Sequence, residues 1–394
     1  MQRRDLFVGV ATLAASGMAG GAARAAAAVP ARPRVSPSVF DFGAVGDGVS
    51  DDSAAFSAAL RVAASEGRMV VVPGYEYAIA EPITWSSTDH VTRQWGLACQ
   101  GATLRSKITT DREVMSLSCD HIVRYLVIGG GLTIKGNGAE GNGLRLFAPG
   151  GSHHFYNVSL QNIAIEGVGG DGLLFEGNVF ESTVSSCFFQ DCGQNGATFA
   201  HSQNGVVSAI DLIGCFFNQN GRFGMQCTNF DAKYGGTNDV RVFGGYCREN
   251  QKFGFVFHNG TAPGASIQQV GFENNYLSKE PGDRDGAHVY ARVRLAMRDC
   301  AGYNEFGGAT FLLRGQFTDL TVLDGCSQDS GGAMRATGNS RLVRVGGAHG
   351  HVLLRGCSGG VDVDAGTSCT WEARNSTGPC PLGNLDMRGS LGNV

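Results

Sequence analysis

Side chains suited to acid–base chemistry recur one repeat apart in this chain. His258 is followed one repeat later by His288 and Tyr290. An imidazole changes its charge near neutral pH, and a phenol hydroxyl can donate or accept a proton, so these groups form a candidate base and acid. They can act together only where the fold brings residues that are distant in sequence into contact.

A recurring glycine followed by alternating apolar residues predicts such a fold. The glycines are Gly143, Gly172, Gly196, Gly224, Gly254, Gly286, Gly308 and Gly332. A unit of this length cannot bury its own apolar face and has to stack on its neighbours. Because the apolar residues have the period of two that indicates strands, the repeat predicts an all-β protein, a single-stranded right-handed parallel β-helix.

The repeat also predicts which side chains face the core and which face the outside. Positions one and three after each glycine are expected to point inward: Leu173, Phe175, Ala197, Phe199, Met225, Cys227, Phe255, Phe257, Ala287 and Val289. Positions two and four are expected to face outward: Leu174, Glu176, Thr198, Ala200, Gln226, Thr228, Val256, His258, His288 and Tyr290. Since coils stack about 4.8 Å apart, His258 is expected beside Tyr290, with His288 beside Val256 on the same exposed face.

Cysteine and asparagine follow the repeat as well. Six cysteines occupy roughly corresponding slots and are predicted to stack as buried free thiols: Cys187, Cys215, Cys247, Cys300, Cys326 and Cys357. Cys369 and Cys380 lie outside the clear repeats and are the predicted disulfide, if one forms. Asparagines near the turns are expected to form ladders from coil to coil: Asn218, Asn220, Asn250, Asn274, Asn275 and Asn304.

A short amphipathic helix is predicted to cap the lower end of the solenoid. Serine and aspartate occupy its first turn, and apolar residues follow with helical spacing at Phe56, Leu60 and Ala64. The run Met69-Val70-Val71-Val72 is then expected to start the first coil.

The residues around this helix also carry a family resemblance. The segment 40–56, Phe-Asp-Phe-Gly-Ala-Val-Gly-Asp-Gly-Val-Ser-Asp-Asp-Ser-Ala-Ala-Phe, and the later Val70-Val71-Val72-Pro73-Gly74 resemble the N-terminal signature of the pectate-lyase-like β-helix superfamily. That superfamily contains pectinases, polysaccharide lyases, sugar epimerases and phage tailspikes. With the repeats, the resemblance covers about residues 38–365, and it implies the fold more strongly than a reaction.

One branch of the superfamily, the polygalacturonase-type hydrolases, is matched only in part. Gly170-Asp171-Gly172 resembles the first catalytic segment of that branch, but the next coil has Gln194-Asn195-Gly196 in place of an acidic pair. The Arg-x-Lys segment is also missing. Asp171 is therefore expected to be a turn residue before glycine, although Glu176, Asp231 and Glu280 could still form a hydrolase pair.

The residues on the predicted outer face favour elimination on an acidic polysaccharide. In that reaction a base removes the C5 proton of a uronate, an acid protonates the departing O4, and cationic groups stabilise the carboxylate. His258, Tyr290 and His288 are the candidate catalytic residues. The candidate substrate-binding residues, several of them in predicted loops over 228–239 and 277–285, are Lys233, Arg248, Arg284, Arg292, Gln226, Glu176 and Asp231.

Other functions and a cofactor stay open at this point. A glycoside hydrolase, a non-catalytic carbohydrate-binding or adhesive β-helix, and an epimerase would all fit the resemblance. Calcium, which pectate-lyase-type enzymes hold with carboxylates, is the one cofactor considered. Asp283 and Asp285 offer two of the ligands, fewer than the six to eight oxygens that calcium takes.

The N-terminal residues indicate an exported protein, and the net charge limits its classes of partner. Arg3 and Arg4, a weakly apolar stretch and an alanine-rich segment resemble a twin-arginine export signal over residues 1–28, which implies a periplasmic or secreted location. A linker over 29–37, a β-helix domain over 38–368 and a C-terminal tail over 369–394 are expected to follow. The net charge of −4 argues against nucleic acid as a partner, no membrane span is predicted, and the oligomeric state is not predicted.

Overall fold

The computed structural model describes the chain from residue 36, so the predicted export signal lies outside the described residues. Within 36–394 the positions not described are 88, 201–204, 229–236, 259–263, 278–286, 293–294, 305–307, 315–319, 331–339, 347, 364–367, 375, 377–378, 381–382, 385–387 and 394. None of the helices in this described part is long and apolar enough to cross a bilayer.

An N-terminal cap precedes the coils. It consists of a 3-10 helix, Val39–Phe42, and one α-helix, α1, Ser53–Glu66. The predicted helix is confirmed, and Phe56, Leu60 and Ala64 are buried. The N-cap residue of α1, Asp52, makes no side-chain hydrogen bond to the helix. The Asp52 carboxylate instead accepts hydrogen bonds from the backbone N–H groups of Val45, at 2.6 Å, and Gly46. Asp52, an acidic residue of the N-terminal signature, thus fixes the segment that leads into the helix.

The coils are built from parallel strands, numbered β1 to β35 along the chain, and two sheets contain nearly all of them. Sheet 1 has 11 strands: β4 Ile83–Ser87, β7 Met115–Cys119, β10 Leu144–Ala148, β13 Leu173–Gly177, β16 Ala197–Ala200, β18 Met225–Thr228, β20 Phe255–Phe257, β23 Ala287–Ala291, β26 Gly308–Arg314, β29 Ser340–Gly346 and β31 Gly360–Val363. The parallel β-helix predicted from the repeat is confirmed.

Sheet 2 has 22 strands and provides the remaining sides of each coil. Its first half contains β1 Asp47–Asp51, β2 Met69–Val72, β3 Glu76–Ile79, β5 Trp95–Cys99, β6 Ala102–Ser106, β8 Ile122–Arg124, β9 Leu126–Lys135, β11 His154–Tyr156, β12 Ser159–Glu166, β14 Val179–Ser185 and β15 Phe188–Gln190. Its second half contains β17 Val207–Asn218, β19 Asn238–Arg248, β21 Ala265–Gln268, β22 Gly271–Glu273, β24 Leu295–Arg298, β25 Ala301–Asn304, β27 Leu320–Asp324, β28 Ser327–Ser330, β30 Ala348–Arg355, β32 Ser368–Arg374 and β35 Arg388–Asn393. The last strand, β35, pairs antiparallel with β32, and β33 Pro379–Cys380 and β34 Gly383–Asn384 form a separate hairpin.

The recurring glycines are required by close contact between coils. A Cβ atom on Gly172 would lie 2.5 Å from the backbone oxygen of Gly196, and a Cβ on Gly196 would lie 2.6 Å from that of Gly224. Gly224 stands in the same relation to Gly254, at 2.7 Å. The backbone of the next coil therefore fills the space that any larger residue would need, and the ten side chains expected to face inward are all buried.

The column of stacked glycines is interrupted after Gly254, whereas the sequence predicts that it continues at Gly286. The atom that a Cβ on Gly254 would meet is the backbone oxygen of His288, at 2.7 Å, and not that of Gly286. Strand β23 accordingly pairs Val289 with Phe255 and Tyr290 with Val256. The strand is thus shifted by two residues from the register that the sequence predicts. This shift keeps the alternation of inward and outward side chains, so Tyr290 stays on the outer face. His288 occupies the position that glycine has in the preceding coils.

Thiols and amides fill the core as predicted. The six cysteines of the repeat are free and buried. Asn220, Asn250 and Asn275 form what is here called the buried ladder: Asn220 donates from Nδ2 to the Asn250 Oδ1 atom at 2.8 Å, and Asn250 donates in the same way to Asn275 at 2.7 Å. The side chains of Cys369 and Cys380, and hence their predicted bridge, lie outside the described residues.

Candidate functional site

The outer face of sheet 1 brings His258 and Tyr290 together. His258 follows β20 and Tyr290 lies in β23, the next strand of the sheet. Their ring centroids are 6.0 Å apart, and the ring planes meet at 57°. Both side chains are half-buried. The predicted contact between an imidazole and a phenol is confirmed, although it is diagonal, because the direct neighbour of Tyr290 in the ladder is Val256.

Positive charges surround His258. Arg292 lies on the same coil as Tyr290 and donates its backbone N–H to the Phe257 carbonyl at 2.9 Å, which places it next to His258. Burial of the imidazole, and then the positive charges of Arg292 and Arg222, lower the pKa of His258 below its usual 6.5. At neutral pH the ring is therefore uncharged and able to accept a proton.

Tyr290 is held by an aromatic column formed by Phe223, Phe253 and Tyr290 itself. The centroid of the Phe253 ring lies 5.2 Å from that of Tyr290 and 6.1 Å from that of Phe223, with the planes inclined by 32° and 27°. Tyr276 packs against Phe253 from the side, at 5.1 Å. Stacking of this kind fixes the plane of the phenol ring.

Amide and hydroxyl groups extend the face beyond the aromatic column. Asn195 donates from Nδ2 to the Gln226 Oε1 atom at 3.1 Å and to the Thr198 Oγ1 atom at 3.0 Å. Gln226, one of the predicted substrate-binding residues, thus lies on the outer face one coil before Val256. Asn195 and Thr198 are buried, so of these three side chains only Gln226 is partly accessible on the outer face.

Asp171 belongs to a second, shorter ladder. It receives the backbone N–H of Asn195 on Oδ1 at 2.9 Å, and its own backbone N–H donates to the Asn142 Oδ1 atom at 2.9 Å. Burial raises its pKa above the usual value, against hydrogen bonds from Asn195 and Thr198 and the charge of Arg222. The carboxyl group thus joins the segment before Gly172 to the next coil, and it lies close enough to Arg222 for the two charges to interact.

Glu176 is already paired. Its Oε2 atom accepts hydrogen bonds from the Nη2 and Nε atoms of Arg145 at 2.7 and 3.0 Å. Arg145 also contacts Glu113, at 3.3 Å, on the preceding coil. The guanidinium group of Arg145 therefore contacts both carboxylates. Glu176 has fewer free acceptor positions for a substrate than an isolated carboxylate would have.

His288 is inside the solenoid, which corrects its predicted place on the exposed face beside Val256. Its side chain has no exposed surface, its Nδ1 atom lies 3.0 Å from the Nδ2 atom of Asn275, and its ring stacks on Phe272. Burial lowers its pKa to about 3. His288 therefore extends the buried ladder as a neutral side chain and takes no part in chemistry at the surface.

The remaining predicted contacts separate into two groups. Arg248 is the last residue of β19 in sheet 2. Its neighbour on the adjacent strand is Glu273, and its positive charge lowers the pKa of Tyr246 against the larger raising effect of burial. Arg248 therefore lies on a different sheet from His258. Lys233, Arg284 and Asp231, the two loops proposed to wall a groove, and the alternative residues Glu280, Asp283 and Asp285 lie outside the described residues.

No metal centre is formed among the residues that the structure describes. Histidine, cysteine, aspartate and glutamate side chains there make no group of three or more placed to hold an ion.

Sequence reasoning missed several residues of this face, and one signal could have found them. Arg222, Phe223 and Phe253 were not considered, nor was Asn195 as a contact. Phe223 and Phe253 each precede a recurring glycine, as do Asn195 and Asp171. The position before the glycine is therefore a second column on the same face, readable from the sequence by the same alignment.

Comparison with known proteins agrees with this architecture. A family model described as rhamnogalacturonase A/epimerase, pectate lyase-like, matches residues 36–92, the cap and the first coils. The chain has the parallel β-helix fold. Among curated proteins no match is found.

Solved structures with the same fold include a virus protein and two proteins named for action on polysaccharides. The ORF18 protein of Geobacillus virus E2 superposes with a TM-score of 0.52 at 15% identity, over 90% of this chain and 63% of the virus protein. The A-module of the Azotobacter vinelandii mannuronan C-5 epimerase AlgE4 gives 0.50 at 17% identity, over 83% of this chain and 97% of the module. The alginate lyase of Paenibacillus sp. str. FPU-7 gives 0.52 at 12% identity, over 70% and 93%. At these identities the similarity establishes the fold alone.

Proposed function

We propose that this protein cleaves a uronate-containing polysaccharide by β-elimination on the outer face of sheet 1. The observation that carries the proposal is the contact between His258, an imidazole that is neutral at neutral pH, and the phenol of Tyr290, with ring centroids 6.0 Å apart. Arginine side chains lie beside this pair, and a polymeric anion requires such groups. The resemblance to β-helices named as an alginate lyase and a mannuronan epimerase supports the same substrate class.

In this mechanism His258 takes the C5 proton of the uronate. The electron pair of the C5–H bond forms the C4=C5 double bond, the C4–O4 bond breaks, and Tyr290 gives its hydroxyl proton to O4. Arg292 and Arg222 stabilise the negative charge that develops on the carboxylate. The reaction leaves an imidazolium and a phenolate, and a proton transfer from one to the other, directly or through water, restores both groups.

Ultraviolet absorbance of unsaturated uronate ends tests the proposal. The purified protein is incubated with alginate, polygalacturonate and uronate-containing bacterial exopolysaccharides, and His258→Gln and Tyr290→Phe are compared with it. Each variant is expected to lower kcat/KM by about 10²- to 10⁴-fold, the usual contribution of a general acid or base. His121→Gln and Tyr125→Phe, which change the same residue types outside this face, are expected to keep full activity.

Three outcomes contradict the proposal. Full activity in both site variants removes the roles given to His258 and Tyr290. New reducing ends without absorbance indicate hydrolysis. A change of sugar composition without shorter chains indicates epimerisation, in which the proton is removed but O4 stays bound.

Hydrolysis is the second candidate, and Asp171 is the observation that favours it. A carboxyl group whose pKa is raised by burial suits the general acid of a glycosidase. A hydrolase also needs a second carboxylate, and Glu176, on strand β13 that follows Asp171, is held by Arg145. New reducing ends without absorbance in the wild type, and their loss in Asp171→Asn, a variant that keeps the ladder's acceptor, would establish this alternative.

A further inference from the structure

A groove on the outer face of sheet 2 is separate from the site described above. It has a volume of about 260 Å³. Its lining comes from three successive coils, through β17, β19 and β21, and consists of Asp211, Leu212, Ile213, Arg241, Val242, Phe243, Ser266 and Gln268. His258 and Tyr290 belong to the strand column of sheet 1, so this groove lies on another side of the solenoid.

The strand register arranges the outward-facing groups of the groove in two columns. Asp211, Arg241 and Ser266 are direct neighbours in the ladder and form a polar column. Ile213, Phe243 and Gln268 are neighbours in the same way, two residues further along each strand, and their column is mainly apolar. A ligand lying along the axis therefore meets a polar strip and an apolar strip side by side.

The apolar column is open to solvent. Phe243 is 48% exposed and Ile213 is 43% exposed, although both lie within long, well-paired strands. Because the Phe243 ring is exposed, it contributes less free energy to folding than a buried ring would. Exposed apolar side chains beside polar groups suit a ligand that has both an apolar face and a polar edge.

The polar column carries no net charge. The Arg241 Nε atom lies 2.7 Å from the Asp211 Oδ1 atom and 3.9 Å from the Asp239 Oδ1 atom. The guanidinium is thus compensated by carboxylates, and it is less available to a polyanion than an unpaired arginine would be. The column offers hydrogen-bond donors and acceptors, namely carboxylate oxygens, guanidinium N–H groups and a hydroxyl, and Gln268 of the neighbouring column adds an amide.

We propose that this groove binds a neutral stretch of carbohydrate, with the C–H face of a sugar on Phe243 and Ile213 and its hydroxyls on Asp211, Arg241 and Gln268. A sugar ring presents C–H groups on its face and hydroxyls at its edge, so it matches an aromatic side chain beside hydrogen-bonding groups. A second copy of the chain would need a larger apolar surface, since stable interfaces bury about 800 Å² on each partner. Binding here does not depend on elimination at His258.

The test measures carbohydrate binding by the full chain. Malto-, cello-, xylo- and manno-oligosaccharides are screened by saturation-transfer NMR, and the best binder is titrated calorimetrically into the wild type and Phe243→Ala. We expect the variant to bind at least about tenfold more weakly, which corresponds to about 1.4 kcal/mol. Phe216→Ala is the matched control, because Phe216 is 41% exposed on the same strand as Ile213 but does not line the groove.

The other variants and measurements separate this site from the one on sheet 1. His258→Gln is expected to leave the affinity for the neutral oligosaccharide unchanged, and Phe243→Ala is expected to keep the folded-state circular dichroism spectrum. The proposal is overturned if no oligosaccharide binds, if Phe243→Ala binds as well as the wild type, or if Phe216→Ala loses as much affinity. Light scattering that shows a dimer abolished by Phe243→Ala would assign the face to a second copy instead.

Discussion

Asn275 and His288 are joined by a 3.0 Å hydrogen bond at the end of the buried ladder, where an imidazole takes the place of the next asparagine. The Asn275 Nδ2 atom also donates to the Cys247 carbonyl at 2.9 Å, so the amide is engaged on both sides. A buried amide that donates to a ring nitrogen requires that nitrogen to be unprotonated. The neutral form of His288 is therefore part of the fold.

His288 should make the folded state sensitive to acid. Because its pKa is about 3 when folded and near 6.5 when unfolded, the unfolded chain binds the proton first as the pH falls. The free energy of unfolding should therefore decrease below about pH 6.5, by about 2 kcal/mol at pH 5 from this residue alone. Urea denaturation of the wild type and His288→Asn at pH 7.5 and pH 5 measures the effect.

The asparagine variant keeps an acceptor for Asn275 and cannot be protonated, so its unfolding free energy should depend less on pH. His90→Asn, which changes an exposed histidine, should retain the slope of the wild type. An equal slope in His288→Asn and the wild type would contradict the assignment.

The buried ladder should contribute strongly to stability. Asn250 accepts hydrogen bonds from the backbone N–H and Nδ2 of Asn220, at 3.0 and 2.8 Å, and donates to Asn275. Removing it in Asn250→Ala leaves several buried polar groups without partners, at about 1–3 kcal/mol each. We expect a loss of at least about 3 kcal/mol in the free energy of unfolding, measured by urea denaturation.

Asn218→Ala is the comparison for this variant. Asn218 is also buried, but its Oδ1 atom has no hydrogen-bond partner, so less should be lost on truncation. Similar losses in the two variants would indicate that burial of the side chain, and not the ladder, sets the stability.

Arg292 should set the acid limb of the activity profile under the proposed mechanism. A base works only when it is unprotonated, and the pKa of His258 is lowered by burial and by the charges of Arg292 and Arg222. The limb of kcat/KM against pH should therefore lie below 6.5. Removing one positive charge in Arg292→Gln should move that limb toward higher pH.

Arg248→Gln removes the same charge from sheet 2 and should leave the limb where it is in the wild type. Movement of the limb in both variants would show an effect of net charge. An unmoved limb in Arg292→Gln would remove His258 as the titrating base.

The fold was readable from the sequence because its signals are local and repeated. The spacing of Phe56, Leu60 and Ala64 predicted a helix, and the period of two predicted which side chains fill the core, among them Phe175 and Phe199. Both patterns follow from burial of apolar groups on one face of an element. They depend little on how long the connections between elements are.

The site was less predictable because it depends on register across an insertion. The sequence alignment matched Gly254 with Gly286 by residue type, whereas the residue of the next coil that lies against Gly254 is His288. An error of two residues does not change the alternation of inward and outward positions, so Tyr290 was still placed on the outer face. His288 was misplaced because it occupies the buried position that glycine has in the preceding coils. The aromatic column around Tyr290 was missed because Phe223 and Phe253 lie before the glycine, outside the repeat that was aligned.

The thiols of the core should be unreactive in the folded protein. Every described cysteine is buried, and burial raises the pKa of Cys99 and of Cys119 to about 12. Hydrogen bonds with Cys215 and Cys326 lower the pKa of Cys187 and of Cys300, respectively, but both sulfur atoms are buried. A thiol reagent needs an accessible thiolate, so the condition of access is not met. In a Cys369→Ser, Cys380→Ser double variant, which removes the two cysteines not described, Ellman's reagent should detect almost no thiol in the native protein and all 10 after denaturation. Rapid reaction of several thiols in the native double variant would mean that the coils open readily, and the close packing required at Gly172 and Gly196 would then have to be reconsidered.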